Sequence, residues 1–151
     1  METKSRFWKG RLNMTELKEF LKKHPDTVGV EVMMPDNNGI IRGKRVDIHE
    51  AESLFEKGLN FCAATPLLDS GGDVIDGLIL GSDDGDPDIF GHPVDGSLTP
   101  VPWLEKEMAQ VLITLVGRDG NPYPHEARNV LSRVVQKLAD DDLHATIAVE
   151  L

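Results

Sequence analysis

The segment from Val28 to Val46 constrains the fold more than any other. Val28, Val30 and Val32 alternate with Gly29 and Glu31, the two-residue period of a strand with unlike faces. Pro35-Asp36-Asn37-Asn38-Gly39 follows, and Asn-Gly readily takes positive φ, so the chain turns back there. Ile40 to Val46 returns as a second strand. Directly after it, Asp47 and Glu50 have the spacing of a capping pair, and Ile48, Ala51, Leu54 and Phe55 make one apolar stripe that stops at Gly58. A hairpin running straight into a helix over 48–57 predicts an α+β domain.

The flanking segments extend this reading. Residues 1–12 read as a loose arm. A helix opens at Asn13, which pairs with Glu16 as a cap, carries Leu17, Phe20 and Leu21 on one face, and stops at Pro25. Residues 59–64 and 74–80 read as short strands around a flexible loop, Asp69-Ser-Gly-Gly-Asp73. The stretch 81–97, rich in Gly, Asp and Pro, reads as irregular. Gln110 to Val116 is the clearest buried strand, and Gly117 to Gly120 turns it. Beyond Pro124, the residues Ala127, Val130, Leu131, Val134, Val135 and Leu138 define an amphipathic helix over 125–139 whose stripe calls for a partner surface. Asp140, Asp141 and Asp142 close it against the helix dipole. His144 to Leu151 starts an apolar strand, so the chain reads as a piece of a longer protein, with an apolar stripe and bare strand edges that favour self-association.

Charge and composition remove several function classes. With 16 basic and 26 acidic residues the net charge is -10, which argues against nucleic-acid binding. No apolar run approaches the roughly 20 residues of a membrane span. The single cysteine, Cys62, permits no intrachain disulfide and suits the cytoplasm. Arg42-Gly43-Lys44-Arg45 lacks the Gly-rich loop of a phosphate site and reads as a solvated strand face. Asp84, Asp86 and Asp88 have calcium-loop spacing. However, Ile89 stands where the tight-turn Gly belongs and Asp95 where the bidentate Glu belongs, so a solvated acidic loop is the better reading. No nucleophile motif surrounds Cys62, which reads by pattern as a small buried residue. The five histidines include no metal pair at i, i+4. Glu150 follows an apolar run, Thr146 to Val149. It either faces solvent or is buried, and burial demands a partner or a metal.

Five short pieces carry a resemblance: Gly39-Ile-Ile-Arg42-Gly-Lys44-Arg45, Gly85-Asp86-Pro87-Asp88, Pro102-Trp103, Arg128-Asn-Val-Leu131 and Val149-Glu150-Leu151. In this order, over roughly residues 14–151, they resemble the glutamine synthetase family, nearest its branch of γ-glutamyl amide ligases. The resemblance implies a β-grasp N-terminal domain over 13–118. It implies that 119–151 begin the catalytic domain with its first helix and strand.

What the resemblance implies chemically is an ATP-dependent ligase. ATP phosphorylates the γ-carboxylate of glutamate, ammonia or an amine displaces the phosphate, and Mg²⁺ or Mn²⁺ holds the reacting oxygens. The family assembles as a homo-oligomeric ring, in which N-terminal loop aspartates approach a neighbouring subunit's site. Asp88 matches one of these. Cys62 stands at the position of the other, which serves the ammonium site, and a neutral thiol there suggests either an amine acceptor or an alternative local alignment through the variable 59–73 loop. Glu150 matches the first Glu of a metal-binding Glu-x-Glu strand, whose i and i+2 side chains share a face. His125-Glu126-Ala127 departs from the family's usual Asp-Pro, and Asp142 from its Gly. Most ligands for ATP and metal lie outside these residues, so the fragment alone is expected to be inactive and to bind neither tightly. The alternative is a free-standing β-grasp interaction module without catalysis.

Overall fold

The computed structural model describes residues 10–77 and 85–150. Among them the order is α1 (Gly10–Lys23), β1 (Gly29–Pro35), β2 (Ile41–Asp47), α2 (Ala51–Lys57), β3 (Leu59–Cys62), β4 (Asp88–Pro93), β5 (Thr99–Val101), β6 (Met108–Val116) and α3 (Ala127–Asp140). One mixed sheet runs β2-β1-β6-β4-β3, and β5 also pairs with β6. The β1–β6 pair is parallel and the others antiparallel.

The alternation in β6 is complete. Ala109, Val111, Ile113 and Leu115 are buried, and the residues between them are half-buried. Their buried face joins Val30, Val32 and Met34 of β1 with Leu17 and Phe20 of α1 and Leu54 and Phe55 of α2. Side chains of this size each contribute about 1.5–3 kcal/mol when removed from water. The sheet curls until its two edges approach. Lys44 Nζ of β2 donates to the carbonyl of Asn60 in β3 (2.8 Å), and Asn38 Nδ2 at the hairpin tip donates to the carbonyl of Leu68 (2.8 Å). This is the β-grasp arrangement expected from the resemblance.

The hairpin forms as its alternation predicts, with Gly39 at φ +78°. Asp36, only 2% exposed, organises the turn. Its carboxylate accepts from the amides of Asn38 (2.8 Å) and Ile40 (2.9 Å) and from Arg42 Nε (2.9 Å). Asp47 caps the next helical segment through the amide of His49 (2.9 Å), and Gly58 ends α2 at φ +81°.

Several expectations are corrected. Helix α1 starts at Gly10, so Asn13 lies inside it and does not cap it. Glu16 instead accepts from the amides of Gly96 and Leu98 (3.0 Å each), pinning α1 to the turn after β4. The stretch 81–97 is not wholly irregular, because Asp88–Pro93 form β4 in the sheet interior. Its Gly91 is a packing device: a Cβ there would sit 2.6 Å from Ile113 Cδ1. Residues 74–77 form no strand, and Val74 and Ile75 stay about half exposed without a ladder to join. The loop 69–73 is a defined turn. Asp69 Oδ1 accepts from the amides of Gly72 and Asp73, and Arg42 Nη2 donates to the Asp69 carbonyl. The expected strand over 144–151 is absent as far as Glu150. Residues 143–150 are coil with exposed side chains, and among the described residues no strand pairs with them to satisfy their backbone groups. The arm at 1–9, the strand positions 78–80 and the acidic residues Asp83 and Asp84 lie outside the described residues.

Helix α3 forms close to its expected span. Glu126 caps it by accepting from the amides of Arg128 (3.2 Å) and Asn129 (3.0 Å). At its other end Asp142 takes φ +59°, and the Leu143 amide reaches back to the Leu138 carbonyl (2.8 Å). The apolar stripe at Val130, Leu131, Val134 and Val135 is 41–55% exposed, as the sequence anticipates for a face without its partner.

Candidate functional site

The register of β3 on β4 sets Cys62 opposite Asp88, so the structure brings together two of the three residues singled out in the sequence. Just past this pair the strands part. The Ala63 amide donates to the Pro87 carbonyl (3.0 Å), and the Ala64 amide to Asp86 Oδ1 (3.0 Å). Asp86 adopts φ +43° after Gly85 at φ +74°. Left-handed backbone at a non-glycine residue is uncommon, and the Ala64 bond helps hold it there. Three acceptor or thiol groups, Cys62, Asp86 and Asp88, therefore border one end of the ladder.

Neighbouring elements fix Asp88. Asn60 Nδ2 donates to its Oδ2 (3.3 Å), and Arg118 Nε, from the turn after β6, donates to its carbonyl (3.0 Å). Lys44 lies 4.9 Å from the centroid of the Phe61 ring, a cation–π distance, while its Nζ holds the Asn60 carbonyl. A cleft of about 260 Å³ beside Asp88 is lined by Ala63, Ile89, Arg118, Asp119 and Tyr123, among others. Tyr123 is buried and donates its hydroxyl to the Ala63 carbonyl (3.0 Å), which braces the floor.

Cys62 is exposed, which corrects the expectation of a buried residue. A strand-end position at the sheet edge leaves its side chain uncovered, and periodicity could not reveal that edge. Partial burial of the thiol raises its pKa, and the charge and hydrogen bond of Asp86 and the charge of Asp88 raise it further, with Lys44 opposing. The thiol is therefore protonated at neutral pH, a poor nucleophile and a neutral neighbour to two carboxylates. Such a row suits a cationic group better than an anionic one.

Glu150 is not brought into this cluster by any element. It sits exposed in the coil after α3. Among the described residues no group of three or more His, Cys, Asp or Glu side chains is placed to hold a metal ion. No helix among them is long and apolar enough to cross a membrane.

Sequence reasoning did not foresee the supporting contacts of Lys44, Asn60 and Arg118. Nor did it foresee the buried polar group that joins α3 to the sheet. Thr114 Oγ1 lies 3.2 Å from both Glu126 Oε2 and Asn129 Oδ1, and Asn129 Nδ2 donates to the carbonyls of Leu115 (2.8 Å) and Tyr123 (3.0 Å). The Arg128-Asn-Val-Leu131 piece of the resemblance thus includes a buried anchor, Asn129. Polar residues at helical spacing carry no signal that distinguishes such an anchor from a solvated face.

No family profile matches the chain. It is 40% identical over 136 residues to γ-glutamylputrescine synthetase PuuA of Escherichia coli K12, which is 90% of this chain and 29% of that protein. It is 32% identical over 109 residues to type-1 glutamine synthetase 2 of Dictyostelium discoideum, 72% of this chain and 21% of that protein. It is 32% identical over 128 residues to a glutamate–isopropylamine ligase of a Pseudomonas species, 81% of this chain and 27% of that protein. Among solved structures, a GmaS/ADP complex superposes with a TM-score of 0.66 at 22% identity, covering 85% of this chain and 26% of that one, and so shares the fold. The chain spans under a third of the length of these curated relatives. The relatives are ligases of the glutamine synthetase family, and this chain is homologous to a stretch of each of them.

Proposed function

We propose that this chain is the N-terminal β-grasp part of an ATP-dependent ligase that joins glutamate to ammonia or an amine through γ-glutamyl phosphate. The observation that carries the reading is the 40% identity, over 90% of the chain, with a γ-glutamylputrescine synthetase. In this reading residues 13–118 form the β-grasp domain and 119–151 open the catalytic domain. Asp88 faces a neighbouring subunit's active site within a cytoplasmic homo-oligomeric ring.

An amine acceptor fits the Cys62 end of the ladder. Asp86 and Asp88 attract an alkylammonium ion, and the neutral thiol beside them tolerates an alkyl substituent that a third carboxylate would repel. The names of two relatives, a γ-glutamylputrescine synthetase and a glutamate–isopropylamine ligase, support the same class of acceptor.

In the full-length enzyme, Mg²⁺ or Mn²⁺ would neutralise the charge of the transferring phosphoryl group of ATP. The residues in hand do not fit such an ion by themselves. Glu150 is a single exposed carboxylate in coil, and hard divalent cations take about six oxygen ligands. Glu150 serves as a metal ligand in this reading only beside carboxylates from a longer chain.

The test is a chimaera in which this chain replaces the 136 matched residues of the E. coli enzyme. Amide formation from glutamate, ATP and putrescine, cut about tenfold or more by D88N, is the expected result. A chimaera that folds and assembles but makes no amide would overturn the proposal. The 151-residue chain alone is expected to yield no amide above a blank.

A further inference from the structure

A second cleft, of about 250 Å³, lies between the end of α2, the outer part of the β4–β6 ladder and the turn after β6. Lys57, Phe90, His92, Val116, Gly117, Arg118 and Gly120 line it. Phe90 and Val116 are cross-strand partners, so they form one apolar wall, and Phe90 remains 37% exposed. The His92 ring stands on the same face of β4, tilted 32° to the Phe90 ring with centroids 6.4 Å apart. Gly58 makes that position possible, because a Cβ there would lie 2.8 Å from the His92 ring.

The charge of this cleft runs against that of the chain. The chain carries -10 overall, yet no carboxylate is among the lining residues, and Lys57 and Arg118 flank the aromatic wall. Arg118 is held in advance. Its Nε is committed to the Asp88 carbonyl, so part of the ordering cost of engaging a ligand is already met. The turn that carries it is closed by the Gly117 amide on the Asn121 carbonyl (2.8 Å) and the Gly120 amide on the Gly117 carbonyl (2.9 Å). Two cations beside an exposed aromatic ring and an imidazole, with no acid among the lining residues, match an anion carried on a flat apolar body.

We propose that this cleft binds a small molecule bearing one anionic group, carboxylate or phosphate, on a planar apolar body. The anion meets Arg118 and Lys57, and the planar part rests on Phe90 and Val116. The site is separate from the Cys62–Asp88 cluster, though Arg118 contacts the Asp88 backbone.

The test is an amide-resolved NMR titration of the 151-residue chain with phenyl phosphate and, in parallel, inorganic phosphate. Saturable shifts centred on Lys57, Phe90 and residues 116–120, with phenyl phosphate the tighter ligand, are expected. R118Q should weaken phenyl phosphate about tenfold. K57Q, which leaves the Arg118–Asp88 bond intact, should weaken it too. F90A should reduce phenyl phosphate to the level of inorganic phosphate, and R45Q on the distant hairpin should change nothing. Shifts centred on Arg42, Lys44 and Arg45, equal weakening by R45Q, or no saturable shift in the millimolar range would each overturn the proposal.

Discussion

The Thr114 hydroxyl lies 3.2 Å from Glu126 Oε2 and 3.2 Å from Asn129 Oδ1, so a single hydrogen faces two acceptors at the joint between β6 and α3. As the carboxylate, Glu126 accepts from Thr114; once protonated it can donate to Thr114 Oγ1 instead, which frees the hydroxyl hydrogen for Asn129. Burial raises the pKa of Glu126, and hydrogen bonds from Asn129, Arg128 and Thr114 pull it part of the way back.

The sign of the resulting pH dependence follows. The folded carboxyl keeps its proton to higher pH than the unfolded one, whose pKa is about 4.3. Its contribution to stability is therefore full below that value and lost as pH rises through the raised folded pKa. E126Q keeps the shape but has no titratable carboxyl, so it should remove this slope, while its amide nitrogen gives up the acceptor for one of the two backbone amides, Arg128 or Asn129. Thermal unfolding of both proteins across the mildly acidic range should show the slope in the native chain and none in E126Q, whatever the offset between the two curves. E126A, which removes the cap and orphans the Asn129 amide, should cost about 2 kcal/mol.

Asp36 behaves in the opposite sense. Burial acts to raise its pKa, but the bonds from Ile40, Arg42 and Asn38 and the charge of Arg42 outweigh it, and the net shift is downward. Its stabilisation is present above the unfolded pKa of about 3.9 and lost as pH falls through the lower folded value. R42A should cost about 2 kcal/mol in urea unfolding. It should also speed hydrogen exchange at Gly72 and Asp73, because Arg42 also holds the Asp69 carbonyl. Unchanged exchange there would separate the turn from the ion pair.

Gly91→Ala should destabilise the sheet by about 1–3 kcal/mol, since the new methyl would meet Ile113 Cδ1 at 2.6 Å and the Phe61 ring at 3.0 Å. Adding Ile113→Val removes that Cδ1 and should recover part of the loss. A double mutant as unstable as the sum of its singles would contradict this packing account.

Cys62 should alkylate slowly for an exposed thiol. Partial burial raises its pKa, and the neighbouring Asp86 and Asp88 carboxylates raise it further. D86N should lower the thiol pKa and speed iodoacetamide alkylation near pH 8, read by mass spectrometry. An unchanged rate would remove Asp86 from the account of this site.

The sequence by itself determined the local architecture. Alternation made β1, a short apolar run made β6, Asn-Gly made the hairpin, and three-four spacing made α1, α2 and α3, because these patterns arise from the geometry of one segment at a time. The five ordered pieces also sufficed to assign the family. Tertiary structure decided the rest. Gly91 and Pro93 read as strand breakers, yet β4 forms because it pairs with β3 on one side and β6 on the other, and Gly91 fits where Ile113 and Phe61 leave no room for a side chain. The apolar run before Glu150 reads as a strand, yet it stays coil, because a strand exists only where a second one pairs with it. The meeting of Cys62 with Asp88, and of Arg118 with both clefts, depends on register and curl, which bring together residues 26 and more positions apart. No local pattern encodes that distance.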